Sequence, residues 1–262
     1  MKQDWLDIGG RRLETAWWGP APEAAPTIVL LHEGLGCVAL WRDIPERLAA
    51  ATGFGVFAYS RFGYGRSDPA PLPWPMSYMH DEALKSLPCV IDAAHIQRAL
   101  LVGHSDGGSI AAIYAGGARD PRVAALATIA AHFFVEPVNI ASIEKIRGDY
   151  ETTDLRARLG RYHTNPDIAF RGWNGAWLDP DFEKFNIERY LPDIAVPMLA
   201  LQGADDPYGT QAQLDVLHGK VAGPLETWLI PGAKHSPHLE AKEKTLARLA
   251  AFARAHLGST SQ

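Results

Sequence analysis

The chain has 262 residues, of which 47% are hydrophobic and 21% charged, a balance that packs a core and argues against disorder. The formal net charge is −5 and no run of Lys and Arg is present, so neither the overall field nor a local patch favours nucleic acid or an anionic membrane. No apolar stretch approaches the roughly 20 residues that span a bilayer, and the opening residues MKQDW lack the basic-then-apolar pattern of a secretory signal. The two cysteines, Cys37 and Cys89, form neither a disulfide framework nor a metal cluster. The expectation is a cytoplasmic chain with reduced thiols, no metal and no cofactor, present as a monomer or homodimer.

In chain order, residues 5–8 and 12–18 read as an antiparallel hairpin turning at Gly9-Gly10, and the Pro- and Ala-rich residues 19–26 as a surface loop. Continuous apolar runs follow at 27–31, 55–59, 99–102, 123–129, 198–201 and 227–230. Such runs suit strands covered on both faces, as in a parallel sheet. Between them lie helical stretches at 41–51, 79–94, 109–116, 211–221 and 237–257. This alternation predicts an open α/β sheet. Residues 133–192 break the rhythm: they lack a buried strand, contain helix-like pieces at 141–150 and 155–162, and are rich in large aromatics. They are expected to form a helical cap over the strand ends, where open sheets bind ligands; ordinary surface helices with their own aromatic core are the alternative. The core is then 1–132 with 193–262.

The sharpest local signal is Gly103-His104-Ser105-Asp106-Gly107, directly after a strand and before a helix. A strand-to-helix reversal strains the central residue and exposes its Oγ, while flanking glycines let backbones pass closely. Ser105 is the candidate nucleophile, and the Asp106 N–H, at the helix start, a candidate oxyanion donor. A serine hydroxyl needs a base to take its proton. The base is sought after the last strand, where His235 is preferred to His238; the latter falls in the first turn of the last helix and is a candidate for lining the pocket. The acid is sought after the preceding strand, where Asp206 is preferred to Asp205. His104 reads as a packed or hydrogen-bonded histidine.

With these pieces in place, the chain resembles the α/β-hydrolase superfamily over nearly its whole length. Leu31-His32-Glu33-Gly34-Leu35-Gly36 resembles the family's oxyanion loop, and the segment from Tyr59 through Arg61 to Ser67 resembles the turn after its fourth strand. The resemblance implies an eight-stranded, mostly parallel sheet flanked by helices, with a cap inserted after the sixth strand. It also implies a second oxyanion donor at Gly34 or Glu33, with Gly34 preferred. Many members carry Gly where this chain has Glu33. That carboxylate either turns away to bond the loop or enters the pocket. Leu35, His132, Trp173 and Trp177 are further pocket candidates, although core packing suits the two tryptophans as well. Arg61 and Arg147 are candidates for an anionic substrate tail, with solvated arginines as the default.

Members that open epoxides or displace halide use a carboxylate at the elbow, so Ser105 points to acyl transfer. The expected activity is cleavage of a small or medium carboxylic ester through an acyl-enzyme. A lactonase, a carbon–carbon bond hydrolase and a non-catalytic receptor remain alternatives.

Overall fold

Residues 2–258 are described by a computed structural model; Met1 and 259–262, the two ends of the expected core, lie outside the described residues. The hairpin strands β1 (Lys2–Ile8) and β2 (Arg11–Trp18) come first, followed by β3 (Thr27–Leu31), α1 (Ile44–Thr52) and β4 (Gly55–Tyr59). A continuous helical stretch then runs from α2 (Tyr78–Asp81) through a π-helical turn (Glu82–Ser86) into α3 (Leu87–Ala93). After it come β5 (Ala99–His104), α4 (Asp106–Gly117) and β6 (Val123–Ile129). Three helices, α5 (Pro137–Thr152), α6 (Leu155–Leu159) and α7 (Pro166–Trp177), precede β7 (Met198–Gly203) and α8 (Ala212–Asp215). The chain closes with β8 (Leu225–Ile230), α9 (Pro237–Glu240) and α10 (Lys242–Leu257).

All eight strands form one sheet in the order β1-β2-β4-β3-β5-β6-β7-β8. Only the pairs involving β2 are antiparallel; from β4 to β8 every pairing is parallel. This is the expected eight-stranded architecture. Strands β3, β4, β5 and β7 are buried at every residue, which explains their unbroken Val, Leu and Ile runs: both faces are covered. One face packs Val29, Leu31 and Leu101 against Ile110 and Tyr114 of α4. The other packs Ile28, Leu30 and Val102 against Leu48 of α1 and Leu249 and Phe252 of α10.

The sheet order places the site. The chain leaves β3 toward β4 on one side and reaches β5 on the other. The connections after β3 and β5 therefore diverge and open a crevice at the carboxyl ends of the two strands. Ser105 stands at that point with φ 52° and ψ −121°, a backbone conformation that costs a non-glycine residue about 1–3 kcal/mol. The glycines permit it. A Cβ on Gly107 would stand 2.0 Å from the Leu31 carbonyl oxygen, and one on Gly103 2.1 Å from that of Gly107. Helix α4 can approach β3 and β5 this closely only without those atoms.

Between β6 and β7 the described elements are α5, α6, α7 and two 3-10 turns (Pro180–Lys184, Glu188–Asp193). A lone bridge between Phe134 and Asn186 ties the two ends of this segment together. Its aromatics pack on one another: Tyr150 stacks on Phe170 with centroids 3.7 Å apart, and Trp177 meets Phe182 at 4.8 Å. Two expected helices differ. The one expected over 211–221 is only the single turn α8; the Leu217 and His218 amides bond three residues back, to Leu214 and Asp215, and the chain continues in turns through Gly219 at φ 75° toward β8. The last helix is broken at Ala241, whose φ −115° and ψ 42° separate α9 from α10.

Two alanine substitutions should act with opposite sign. Gly107→Ala drives a methyl into the Leu31 carbonyl and should lower unfolding free energy by about 1–3 kcal/mol or more. Gly148→Ala meets nothing within 4 Å on an exposed face of α5 and should raise it by about 0.5–1 kcal/mol. Urea midpoints of the two variants against wild type check both.

Candidate active site

The three elements that end at the crevice bring Ser105, His235 and Asp206 together. Ser105 Oγ lies 3.0 Å from His235 Nε2, and His235 Nδ1 lies 2.8 Å and 3.0 Å from the two Asp206 carboxylate oxygens. A carboxylate only accepts, so Nδ1 carries a proton and Nε2 is left free to accept one from Ser105. Asp206 is buried while the adjacent Asp205 is exposed, which separates the two aspartates the sequence left in competition. Asp206 also accepts from Gln202 Nε2 at 2.7 Å and from the Tyr208 N–H at 2.8 Å. Burial pushes its carboxyl upward, but the His235 contact and the Tyr208 amide outweigh it and hold the group below the ordinary carboxylate value.

A cavity of about 110 Å3 opens over Ser105. Its walls include Glu33, Gly34 and Leu35 from the loop after β3, Asp106 at the start of α4, and His132 after β6. Ile143 and Ile146 of α5, Trp173 and Trp177 of α7, Tyr208 and His235 complete it. Both tryptophans therefore line the cavity and pack in the aromatic core at once. A Cβ on Gly34 would stand 2.1 Å from Trp173 Nε1, so the absence of a side chain there lets α7 close over the loop. Neither the Asp106 N–H nor the Gly34 N–H has a hydrogen-bond partner among the described residues, and both residues face the cavity with Ser105.

His238 is a correction. It does not line the cavity; it is buried between Trp41, with centroids 5.3 Å apart, and His104 at 4.6 Å. The break at Ala241 leaves it on the short α9, turned into the interior behind the base loop. Arg61 is another. It is only 3% exposed and binds the loop after β3 rather than a substrate. Arg147 is exposed on α5 and lies 4.0 Å from Glu144.

The Glu33 carboxylate neither turns fully away nor stands alone in the cavity. Its Oε2 lies 3.4 Å from His104 Nδ1, an ion-pair distance without good hydrogen-bond alignment. His104 Nε2 lies 2.7 Å from the backbone oxygen of His235. Nε2 faces an oxygen that only accepts and so carries a proton, and the Glu33 carboxylate beside Nδ1 favours a second proton there. Burial opposes both charges, yet each group sustains the other: Glu33 is held well below the ordinary carboxylate range and His104 is raised. His132, by contrast, is pushed down to about 3 by burial and by the nearby His235, so it is neutral.

Several contacts around the site carried no signal in the sequence. Asp106 has a buried carboxyl that accepts from the Tyr78 hydroxyl and, at 3.3 Å, from Trp177 Nε1; burial raises its value. Tyr78 lies outside every motif, and only the fold brings α2 to the elbow. Ile143, Ile146 and Tyr208 are likewise placed by tertiary packing. Among the described residues, no group of three or more His, Cys, Asp or Glu side chains is arranged to hold a metal ion, and no helix is long and apolar enough to cross a membrane.

The Glu33–His104 pair makes a signed prediction. His104 is raised, so its contribution to stability is complete below its ordinary 6.5 and is lost as pH rises through the folded value. Glu33 is lowered, so its contribution is present above its ordinary 4.5 and is lost as pH falls through the folded value. The Tm gap between wild type and Glu33→Gln should be widest between those two ordinary values, at about pH 5–6, and narrow as the pH is raised above them. A gap that widens with pH contradicts a charged pair.

Comparison with known proteins agrees with this fold. A family model described as the alpha/beta hydrolase fold matches residues 26–170. The dihydrolipoyllysine-residue acetyltransferase component of the acetoin cleaving system of Pseudomonas putida is 25% identical over 270 residues, covering 95% of this chain and 69% of that protein. A thermophilic esterase from Thermogutta terrifontis superposes with a TM-score of 0.73 at 18% identity, covering 98% of this chain and 100% of the esterase. One of the epoxide hydrolases found in metagenomes from hot environments superposes with a TM-score of 0.75 at 20% identity, covering 96% and 98%. At such identities the solved structures speak for the fold alone. The family match spans more than half of the chain, from β3 through the elbow into α7, and the chain belongs to the α/β-hydrolase superfamily.

Proposed function

We propose that the chain is a serine hydrolase that cleaves a small carboxylic ester through an acyl-enzyme. The observation that carries this reading is the unbroken relay from Ser105 Oγ to His235 to Asp206, with contacts of 3.0 Å and 2.8 Å. In the first half-reaction His235 Nε2 takes the Ser105 proton as Oγ attacks the ester carbonyl. Asp206 holds the tautomer and stabilises the imidazolium that forms. The Asp106 and Gly34 N–H groups receive the oxyanion. His235 then protonates the leaving alcohol oxygen and the carbon–oxygen bond breaks. In the second half, water gives a proton to His235 and attacks the acyl group, and Ser105 recovers its proton as the acid leaves.

Serine at the elbow also argues against the epoxide-opening chemistry of some fold relatives, which in this superfamily uses a carboxylate nucleophile. Residues 133–192 act in this reading as a cap: Ile143, Ile146, Trp173 and Trp177 form an apolar roof over Ser105. The cavity of about 110 Å3 is well below the roughly 300–1,000 Å3 of sites that hold drug-sized ligands. It favours a short acyl chain, or a compact lactone handled by the same steps.

Hydrolysis of p-nitrophenyl acetate, butyrate and octanoate tests the reading. Wild type should turn over the two short esters with saturation and prefer them to octanoate by at least about tenfold in kcat/KM, since each extra methylene must fit a filled space. Ser105→Ala should abolish turnover. Asp206→Asn, which disturbs the tautomer, should lower kcat by about 10⁴ if it acts as in other triads. A Ser105→Ala variant with wild-type rates would refute the proposal, and a preference for octanoate would refute the pocket size.

A further inference from the structure

The turn after β4 contains a buried cation that the reaction as written does not use. Arg61 is 3% exposed, and no carboxylate lies within ion-pairing distance among the described residues. No carboxylate touches the guanidinium, although Asp106 and Glu82 lie near enough to favour its charge, so the hydrogen bonds it makes in this dry setting should matter to something. Arg61 Nη1 donates to the His32 carbonyl and Nη2 donates to the Glu33 carbonyl at 3.0 Å. The face of Tyr64 lies 4.8 Å from its central carbon. Both carbonyls belong to the loop that carries Gly34.

The Glu33 carbonyl oxygen is unusually well held. The Arg61 backbone N–H donates to His32 Nε2 at 3.0 Å, so that nitrogen is unprotonated and the ring proton sits on Nδ1. His32 Nδ1 then donates to the Glu33 oxygen at 2.7 Å. The Gly36 N–H donates to the same oxygen at 3.1 Å. With Arg61, three donors converge on one carbonyl. The Glu33–Gly34 peptide is trans, and in a planar trans peptide the N–H points opposite to the C=O. Fixing the Glu33 oxygen on Arg61 therefore turns the Gly34 N–H away from the guanidinium. The N–H is unpartnered and Gly34 lines the cavity beside Ser105.

We propose that Arg61 is a positioning residue for the oxyanion hole, clamping the His32 and Glu33 carbonyls so that the Gly34 N–H is aimed into the cavity and polarised toward developing negative charge. The proposal rests on the serine-hydrolase reading above. Its energetic logic is cooperative: a cation hydrogen-bonded to a carbonyl draws electron density through the amide and makes the N–H of that peptide a stronger donor. The charge of Arg61 thus reaches the oxyanion through one peptide group, without the side chain entering the cavity. Lysine cannot replace it, because a single ammonium lacks the planar fork that spans two carbonyls.

The test compares wild type and Arg61→Lys for turnover of p-nitrophenyl acetate and for binding of two ligands. One is a short alkyl trifluoromethyl ketone, which Ser105 converts to a tetrahedral oxyanion. The other is the matching methyl ether, which carries no oxyanion. Arg61→Lys should lower kcat at least about tenfold, a fraction of the loss from deleting an oxyanion donor, with KM changed less than about threefold. Affinity for the ketone should fall in parallel with kcat/KM, while affinity for the ether stays constant. Equal losses for ketone and ether, or kcat within twofold of wild type, overturn the proposal. If Arg61→Lys does not fold, wild type decides by NMR: ketone binding should move the Gly34 amide and the Arg61 Nη protons together, and Arg61 protons that stay put overturn it. A wild type that neither turns over the ester nor binds the ketone would sink the serine-hydrolase reading instead.

Discussion

The closeness of α4 to the ends of β3 and β5 is the constraint on which the site depends. Gly103 and Gly107 leave no room for a Cβ against neighbouring backbone, and that contact holds Ser105 at φ 52°. The strain is local, and the buried strands β3, β5 and β6 around it supply the packing that keeps it. The same geometry puts the Asp106 N–H at the free start of α4, where the helix dipole favours negative charge. Exposure of the proposed nucleophile and one proposed oxyanion donor thus arise from a single steric arrangement.

Around this elbow the molecule buries more charge than a hydrolytic relay needs. Glu33 and His104 form an ion pair whose imidazolium holds the carbonyl of His235. Arg61 holds the loop opposite, and the Asp106 carboxyl accepts hydrogen bonds from Tyr78 and Trp177 while the nearby Arg61 charge favours its ionised form. Each of these groups is costly alone in a dry interior, and together they lock the three loops on whose relative positions the proposed catalysis depends. Apolar replacements would satisfy the burial without fixing where the His235 loop and the Gly34 peptide sit.

The parts of this arrangement visible in the sequence were those made by neighbours in the chain. The apolar runs of β3 to β8 carry their own burial pattern, and the Gly-x-Ser-x-Gly spacing encodes a local turn. The order of Ser105, Asp206 and His235 followed from strand ends. What the sequence left ambiguous depends on residues far apart along it. Asp206 and Asp205 differ only because one meets Gln202 and His235 while the other is exposed. Arg61 read as a surface or substrate arginine because nothing near it in the chain indicates a carbonyl partner. His238 read as a pocket residue because it stands three residues from His235 at a helix start; its packing on Trp41 and His104, far away in the chain, turns it inward. The short α8 was overestimated because its polar and apolar residues keep a helical period while the backbone bonds beyond Val216 tighten into turns.

Covalent capture tests the central claim most directly. The protein is incubated with an alkyl fluorophosphonate, digested, and the modified peptide identified by mass spectrometry. The account predicts one phosphonyl group per chain, attached to Ser105, with labelling slowed by at least about a hundredfold in His235→Ala because the hydroxyl then lacks its base. A folded protein that resists labelling, or one labelled at another residue, would contradict the assignment of Ser105 as the nucleophile.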